Sequence, residues 1–191
     1  MLLRKVVGFL LADYVREYVR GECGYSAFGK GFYENHLLVV AQFGLRLARE
    51  TGADLEIVEL AAYLHDFSVV LDMKTLPDHK KKGVEIAENL LRHFNYPADK
   101  LEKVKLCILN HSSPASGESA SLEEVCLANA DIMSRIAKPD YWLNFYYSVL
   151  KVGDGKSRYL DRINLEWPLL IESARDIIKE QYIQASKRIE S

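Results

Sequence analysis

Apolar residues recur at intervals of three and four along nearly the whole chain, and no stretch alternates apolar with polar residues as a half-buried strand does. That period admits an all-α fold and little else. It predicts a first helix over 2–20, followed by a glycine- and aromatic-rich connection over 21–33 (GECGYSAFGKGFY) that reads as a loop. A second helix is expected from near Glu34 to about Glu50, stopped at Thr51-Gly52. Asp54 is placed to cap a third helix running to about His65. Residues 67–77 read as a connection closed by Pro77, and Asp78 as the cap of a helix to about Phe94, ended by Asn95-Tyr96-Pro97. A helix from about Asp99 to Asn110 precedes a polar loop over 112–119. Ser121 and Glu124 then make a capping box that opens a helix to about Lys138. Pro139-Asp140 starts a further helix to about Val152, and Gly153-Asp154-Gly155 breaks it. A long charged amphipathic helix finishes the chain, with Pro168 as a point of distortion. There is no repeat, linker or low-complexity segment, so 191 residues are read as a single domain over 1–191.

Charge and cysteine content narrow the function classes. A net charge of -2 argues against long nucleic acid or an anionic membrane as partner, while leaving a single nucleotide open. No segment approaches the roughly 18 consecutive apolar residues of a spanning helix. Arg4-Lys5 before Val6 to Ala12 looks superficially like a short signal peptide. Asp13, Arg16, Glu17 and Arg20 follow at helical spacing, which reads as a retained amphipathic helix and a cytoplasmic protein. The three cysteines are odd in number and show no CxxC spacing, so neither a disulfide framework nor a cysteine zinc site is expected. Cys107 and Cys126 read as buried free thiols.

Four of the five histidines lie on, or at the ends of, these helices facing the apolar side. His36 shares its face with Val40, Phe43 and Leu47. His65 and Asp66 end the run Leu60-Ala61-Ala62-Tyr63-Leu64. His79 shares its face with Gly83, Ile86 and Leu90, and His111 closes the helix bearing Leu101, Val104 and Ile108. Asp131 sits in a helix apolar on nearly all sides, Val125 to Met133. A lone inward histidine is usually a core residue satisfied by one hydrogen bond. A buried unpaired carboxylate is different, because it costs several kcal/mol without a cation or donors. Four inward imidazoles with two inward carboxylates are the natural ligands of a divalent cation, and taken together they point to one.

The order His36, His65-Asp66, Asp131 resembles the H…HD…D signature of the HD superfamily. Leu60 to Asp66 is similar to that family's apolar run into LHD, and Ala128-Asn129-Ala130-Asp131 to its final aspartate helix. Asp78-His79 before Gly83, and Ile108-Leu109-Asn110-His111, resemble the additional histidines of its dinuclear members. The likeness covers roughly 33–137 and leaves the first helix and the region after Pro139 unaccounted for. It implies an all-α HD-domain helical bundle. It also implies one ion held by His36, His65, Asp66 and Asp131, and a second by His79 and His111 with Asp66 bridging. The ions would be drawn from Mn, Fe, Mg, Co, Ni and Zn.

The activity implied is metal-dependent phosphohydrolysis of a nucleotide or other small phosphate ester, with Asp66 and Arg135 as catalytic candidates. Phe67-Ser68-Val69-Val70 departs from the small-residue and lysine segment that often follows the dipeptide. The general acid or phosphate contact is therefore sought among Lys74, Lys80 to Lys82 and Arg135, for which a solvated helix face is the ordinary alternative. The same ligand set also resembles HD-type di-iron oxygenases, and a metal-containing nucleotide-binding regulatory domain is a third reading. No Walker A, GxGxxG or nucleophile-elbow pattern is present, so the metal has to carry the chemistry. The 24–33 segment reads as a connection packed on the core, or alternatively as a lid. Tyr141-Trp142 and Phe145-Tyr146-Tyr147 read first as core or subunit-contact aromatics, then as a base-stacking platform. A homodimer through the amphipathic ends is an open expectation.

Overall fold

The computed structural model describes residues 2–112 and 120–190, with side chains from 10 to 187; most of the predicted 112–119 loop lies outside the described residues. Eleven α-helices are formed among them and no strand: α1 (Leu2–Cys23), α2 (Ala27–Phe32), α3 (Leu38–Thr51), α4 (Leu55–Leu64), α5 (Phe67–Leu71), α6 (His79–His93), α7 (Ala98–Asn110), α8 (Leu122–Ala137), α9 (Pro139–Asn144), α10 (Gly155–Glu166) and α11 (Glu172–Glu190). Wider π turns join α2 to α3 (Tyr33–Leu37) and follow α9 (Phe145–Val149), and 3-10 turns occupy Met73–Asp78 and Trp167–Leu169. The all-α expectation holds. No described helix is long and apolar enough to cross a membrane.

Local chemistry sets the boundaries. Asp54 Oδ1 accepts from the backbone N–H groups of Glu56 and Ile57 and starts α4. Ser121 and Glu124 form the reciprocal capping box at the start of α8. Gly52, at φ 81, takes the left-handed conformation that ends α3. Asp78 occupies the position before α6, but its side chain makes no capping hydrogen bond there.

Four expectations are corrected. The 21–33 segment is not a loop: Ser26 Oγ accepts from Gly29 N at 2.9 Å and opens α2. Glycines suit a turn, but Gly29 instead lets α2 lie against α1, since a Cβ there would stand 2.5 Å from the Cys23 carbonyl oxygen. The 67–77 connection contains α5, which forms because Phe67 and Val69 are buried. The helix predicted from Pro139 to Val152 becomes α9 plus a π turn, with Lys151 at φ 53 closing it. Pro168 splits the last helix into α10 and α11, and Ile171 N donates across to Asn129 Oδ1 of α8 at 2.9 Å.

Buried apolar side chains form one continuous core from Leu11 of α1 to Ala185 of α11. Helix α8 runs through its centre, packed by α3, α4, α7 and α11. Burial on every side explains why its sequence is apolar on nearly all sides, and it carries Asp131 to the middle of the molecule, 1% exposed.

Candidate metal centre

His65 and Asp66 are consecutive, so on an uninterrupted helix their side chains would diverge by about 100°. The helix stops between them. His65 ends α4, Asp66 has φ -115 and ψ 11, and α5 begins at Phe67, so both side chains enter the same space. His36 lies in the π turn before α3, a distortion common at functional sites. His111 follows the last residue of α7, and His79 opens α6. Gly83, one turn after His79, lets α6 approach the break: a Cβ there would stand 2.8 Å from the His65 carbonyl oxygen.

The six residues singled out in the sequence converge. His36 Nε2 is 3.1 Å from His65 Nε2, 3.3 Å from Asp66 Oδ2 and 3.7 Å from Asp131 Oδ1. His65 Nε2 is 3.6 Å from Asp66 Oδ2. The other Asp66 oxygen, Oδ1, lies 3.6 Å from both His79 Nε2 and His111 Nε2. Asp66 thus presents one oxygen to each pair of histidines. Ligand atoms of His36, His65 and Asp131 lie within 4.8 Å of one another, as do those of His65, Asp66 and His111.

The opposite nitrogen of every ring is already committed. His65 Nδ1 donates to the Ala62 carbonyl at 2.8 Å, His79 Nδ1 to Leu76 at 2.7 Å and His111 Nδ1 to Ile108 at 2.7 Å, each three residues upstream. Ser134 Oγ donates to the Asp131 carbonyl at 2.8 Å and therefore accepts from His36 Nδ1 at 3.0 Å. These bonds fix the tautomer, so four Nε2 lone pairs face the carboxylates. Two lone pairs 3.1 Å apart cannot hydrogen-bond without a proton between them. Asp66 Oδ1 and Asp131 Oδ2 are buried with no hydrogen-bond partner among the described residues.

The electrostatics point the same way. Burial pulls His36 below its ordinary pKa and takes His111 down to about 4, in each case against neighbouring carboxylates. Burial also opposes ionisation of Asp66, yet the surrounding imidazoles, His65 first, hold its carboxyl well below the usual range. With neutral rings, none of the six side chains can offset the charge of the two carboxylates. A divalent cation can, and the donor set of imidazole nitrogens and carboxylate oxygens fits one.

Asp131 is held from behind. Its Oδ1 accepts from Arg135 Nη1 at 2.8 Å; burial works against its charge, but Arg135 brings the carboxyl down to about 2. Arg135 in turn donates through Nε and Nη2 to the two oxygens of Glu166, both at 2.9 Å. Arg162 Nε donates to Glu166 Oε1 at 2.5 Å. A cavity of about 260 Å³ opens onto Asp66, His79, His111 and Asp131 and is walled by Phe32, Val69, Leu76, Trp142, Phe145, Tyr146 and Leu150, with Arg135 and Arg162 its only lining cations among the described residues. Lys74, Lys81 and Lys82 are exposed, Lys80 is partly so, and none of the four lines it. The 24–33 segment contributes Phe32 as packed helix, and the 141–147 aromatics contribute Trp142, Phe145 and Tyr146, so these are core and cavity wall at once.

Three participants were not singled out from sequence. Ser134 had a readable signal, a hydroxyl three residues after Asp131 on the same helical face. Glu166 and Arg162 had none, because 31 residues separate Glu166 from Arg135 with no local pattern linking them.

A Clostridium beijerinckii protein described only as an uncharacterized protein is 29% identical over 103 residues, 53% of this chain. The match spans 63% of that relative, just under two thirds of its length. A crystal structure of a Lactobacillus plantarum protein, a structural genomics target, is similar over 95% of this chain and 94% of its own, with a TM-score of 0.71 at 16% identity, a likeness of fold. The family profile described as "HD domain" matches residues 33–136, more than half of the chain. The chain belongs to the HD domain family.

Proposed function

We propose that this site holds one or two divalent metal ions and hydrolyses a phosphate ester of a small molecule, a nucleotide included. The observation that carries the reading is the convergence of four Nε2 lone pairs on two carboxylates, each with a buried oxygen that has no donor among the described residues. His36, His65, Asp66 and Asp131 are the proposed ligands of one ion, and His79 and His111, with Asp66 shared, those of the second. A bound divalent ion supplies Lewis acidity, which acidifies water and offsets charge on phosphoryl oxygens.

The chain's own residues prepare the site for an anion. With neutral imidazoles, Asp66, Asp131 and Glu166 outweigh Arg135 and Arg162 by one negative charge. One divalent cation reverses that sign, and a second makes the site strongly positive. Arg135 has carboxylates on both sides, so its proposed part is to orient Asp131 rather than to touch substrate. The apolar wall of Phe32, Trp142 and Phe145 restricts water, which strengthens the electrostatics inside.

The test begins with elemental analysis of protein purified without added metal. Turnover is then assayed with Mn, Mg, Co, Ni or Fe against phosphomonoesters, nucleotides and cyclic dinucleotides. Activity is expected to vanish on chelation and in a His65→Ala/Asp66→Ala double variant. No turnover above that control with any metal refutes the hydrolase. Two iron atoms per chain with oxygen consumption assigns the site to an oxygenase instead.

A further inference from the structure

We infer that Arg162, held by Glu166, is the anion-binding residue of the cavity, and that the cavity takes a compact organic phosphate whose carbon part lies against Tyr146 and Trp142. This rests on the reading of the site as one for phosphate esters and names the substrate class.

Two cations line the cavity, and they differ in what they can still do. Arg135 is buried and uses Nε, Nη1 and Nη2 on Asp131 and Glu166. Arg162 is 45% exposed and uses Nε alone, on Glu166, while its terminal nitrogens make no hydrogen bond among the described residues. A guanidinium fixed at one edge with its fork unspent is suited to a phosphate, which accepts two parallel hydrogen bonds. Glu166 is doubly useful here. Its carboxylate is buried, takes a two-point grip on Arg135 and orients Arg162 toward the shared cavity, so one acid sets both guanidiniums.

The remaining lining defines the organic part. The side of the cavity formed by Trp142, Phe145, Tyr146 and Leu150 is apolar and comes from α9, the π turn after it and the residue that follows. Trp142 is 8% exposed and presents an aromatic side chain to this wall. The volume of about 260 Å³ falls just below the roughly 300–1,000 Å³ common for small-molecule pockets, a size that suits a compact monoester.

The test is calorimetric binding to Mn-loaded protein of two probes, inorganic phosphate and the non-hydrolysable phenylphosphonate. Arg162→Gln is expected to weaken both by about 10- to 100-fold at unchanged metal content, as loss of charge-assisted hydrogen bonds does. Arg162→Lys should recover part of that loss. Tyr146→Ala should weaken phenylphosphonate several-fold and leave inorganic phosphate alone. Wild-type affinities in Arg162→Gln overturn the proposal, and so does failure of the wild type to bind either probe. Phenylphosphonate binding without turnover of any phosphate ester removes the hydrolase reading and leaves the anion site. Turnover whose KM is untouched by Arg162→Gln does the reverse.

Discussion

Two buried polar clusters meet at Asp131, and they are built on opposite terms. Behind it, Asp131, Arg135 and Glu166 match donors to acceptors, with three hydrogen bonds of 2.8–2.9 Å. In front of it, His36, His65, Asp66, His79 and His111 bring acceptors to face acceptors, and two carboxylate oxygens have no donor among the described residues. The first cluster is complete as it stands. The second is stable only with added positive charge, because buried charge without a partner costs several kcal/mol. Clusters of similar burial and residue type that share one acid thus differ in whether their charges are matched within the protein.

The sharpest way to break this contrast is to remove the acid common to both histidine pairs. Asp66→Ala should abolish metal retention, and metal-dependent turnover should fall by about 10³-fold or more. Retained metal at wild-type stoichiometry would mean the front cluster is not the site. On the closed side, Arg135→Ala leaves Asp131 buried without its cation and Glu166 with Arg162 alone, and should cost about 3–5 kcal/mol in urea denaturation. A cost below about 1 kcal/mol, the surface-pair range, would mean the triad is not closed in solution.

Acid should loosen the metal-free protein. Burial holds His111 near 4 in the folded state against 6.5 for the free side chain, so the unfolded chain takes up the proton first. Stability is intact above about 6.5, falls as pH drops from 6.5 toward 4, and loses about 3 kcal/mol through this group, with His36 adding to it in the same direction. Denaturant midpoints for the metal-free protein at pH 7.5, 5.5 and 4.5 measure it, and a flat profile would contradict the burial of neutral imidazole.

Subtler still is Ser134→Ala, which removes the acceptor for His36 Nδ1–H and should weaken metal affinity by about 10- to 100-fold in a chelator competition. At the foot of the scale, Lys82→Ala removes an exposed partner of Glu85 and should leave metal content and turnover unchanged. A clear loss of turnover would return that lysine row to the site.

How far the site could be read beforehand follows from where each residue gets its neighbours. His36, His65, Asp66, His79, His111 and Asp131 each betray themselves locally, as a polar group on an apolar helix face. Glycines near residues 21–33 and at 83 were harder, because close packing of helices and a turn both select glycine, and only the partner helix distinguishes them. Arg135 looked like a free cation because its partner Glu166 arrives from α10, after the family-matched segment ends. Trp142 and Tyr146 read from sequence as packed aromatics, and periodicity carries no sign that the space beside them stays open to the histidines.

The i–3 carbonyl bonds have a consequence for inheritance. Three of the four rings are steered by main-chain oxygens at Ala62, Leu76 and Ile108, which any amino acid would furnish, so replacements at those positions leave the steering intact so long as the helix ends hold. His36 alone relies on another residue's identity, the hydroxyl of Ser134. Genetic drift can therefore detune this centre through a single non-ligand codon on the steering side, and position 134 is it.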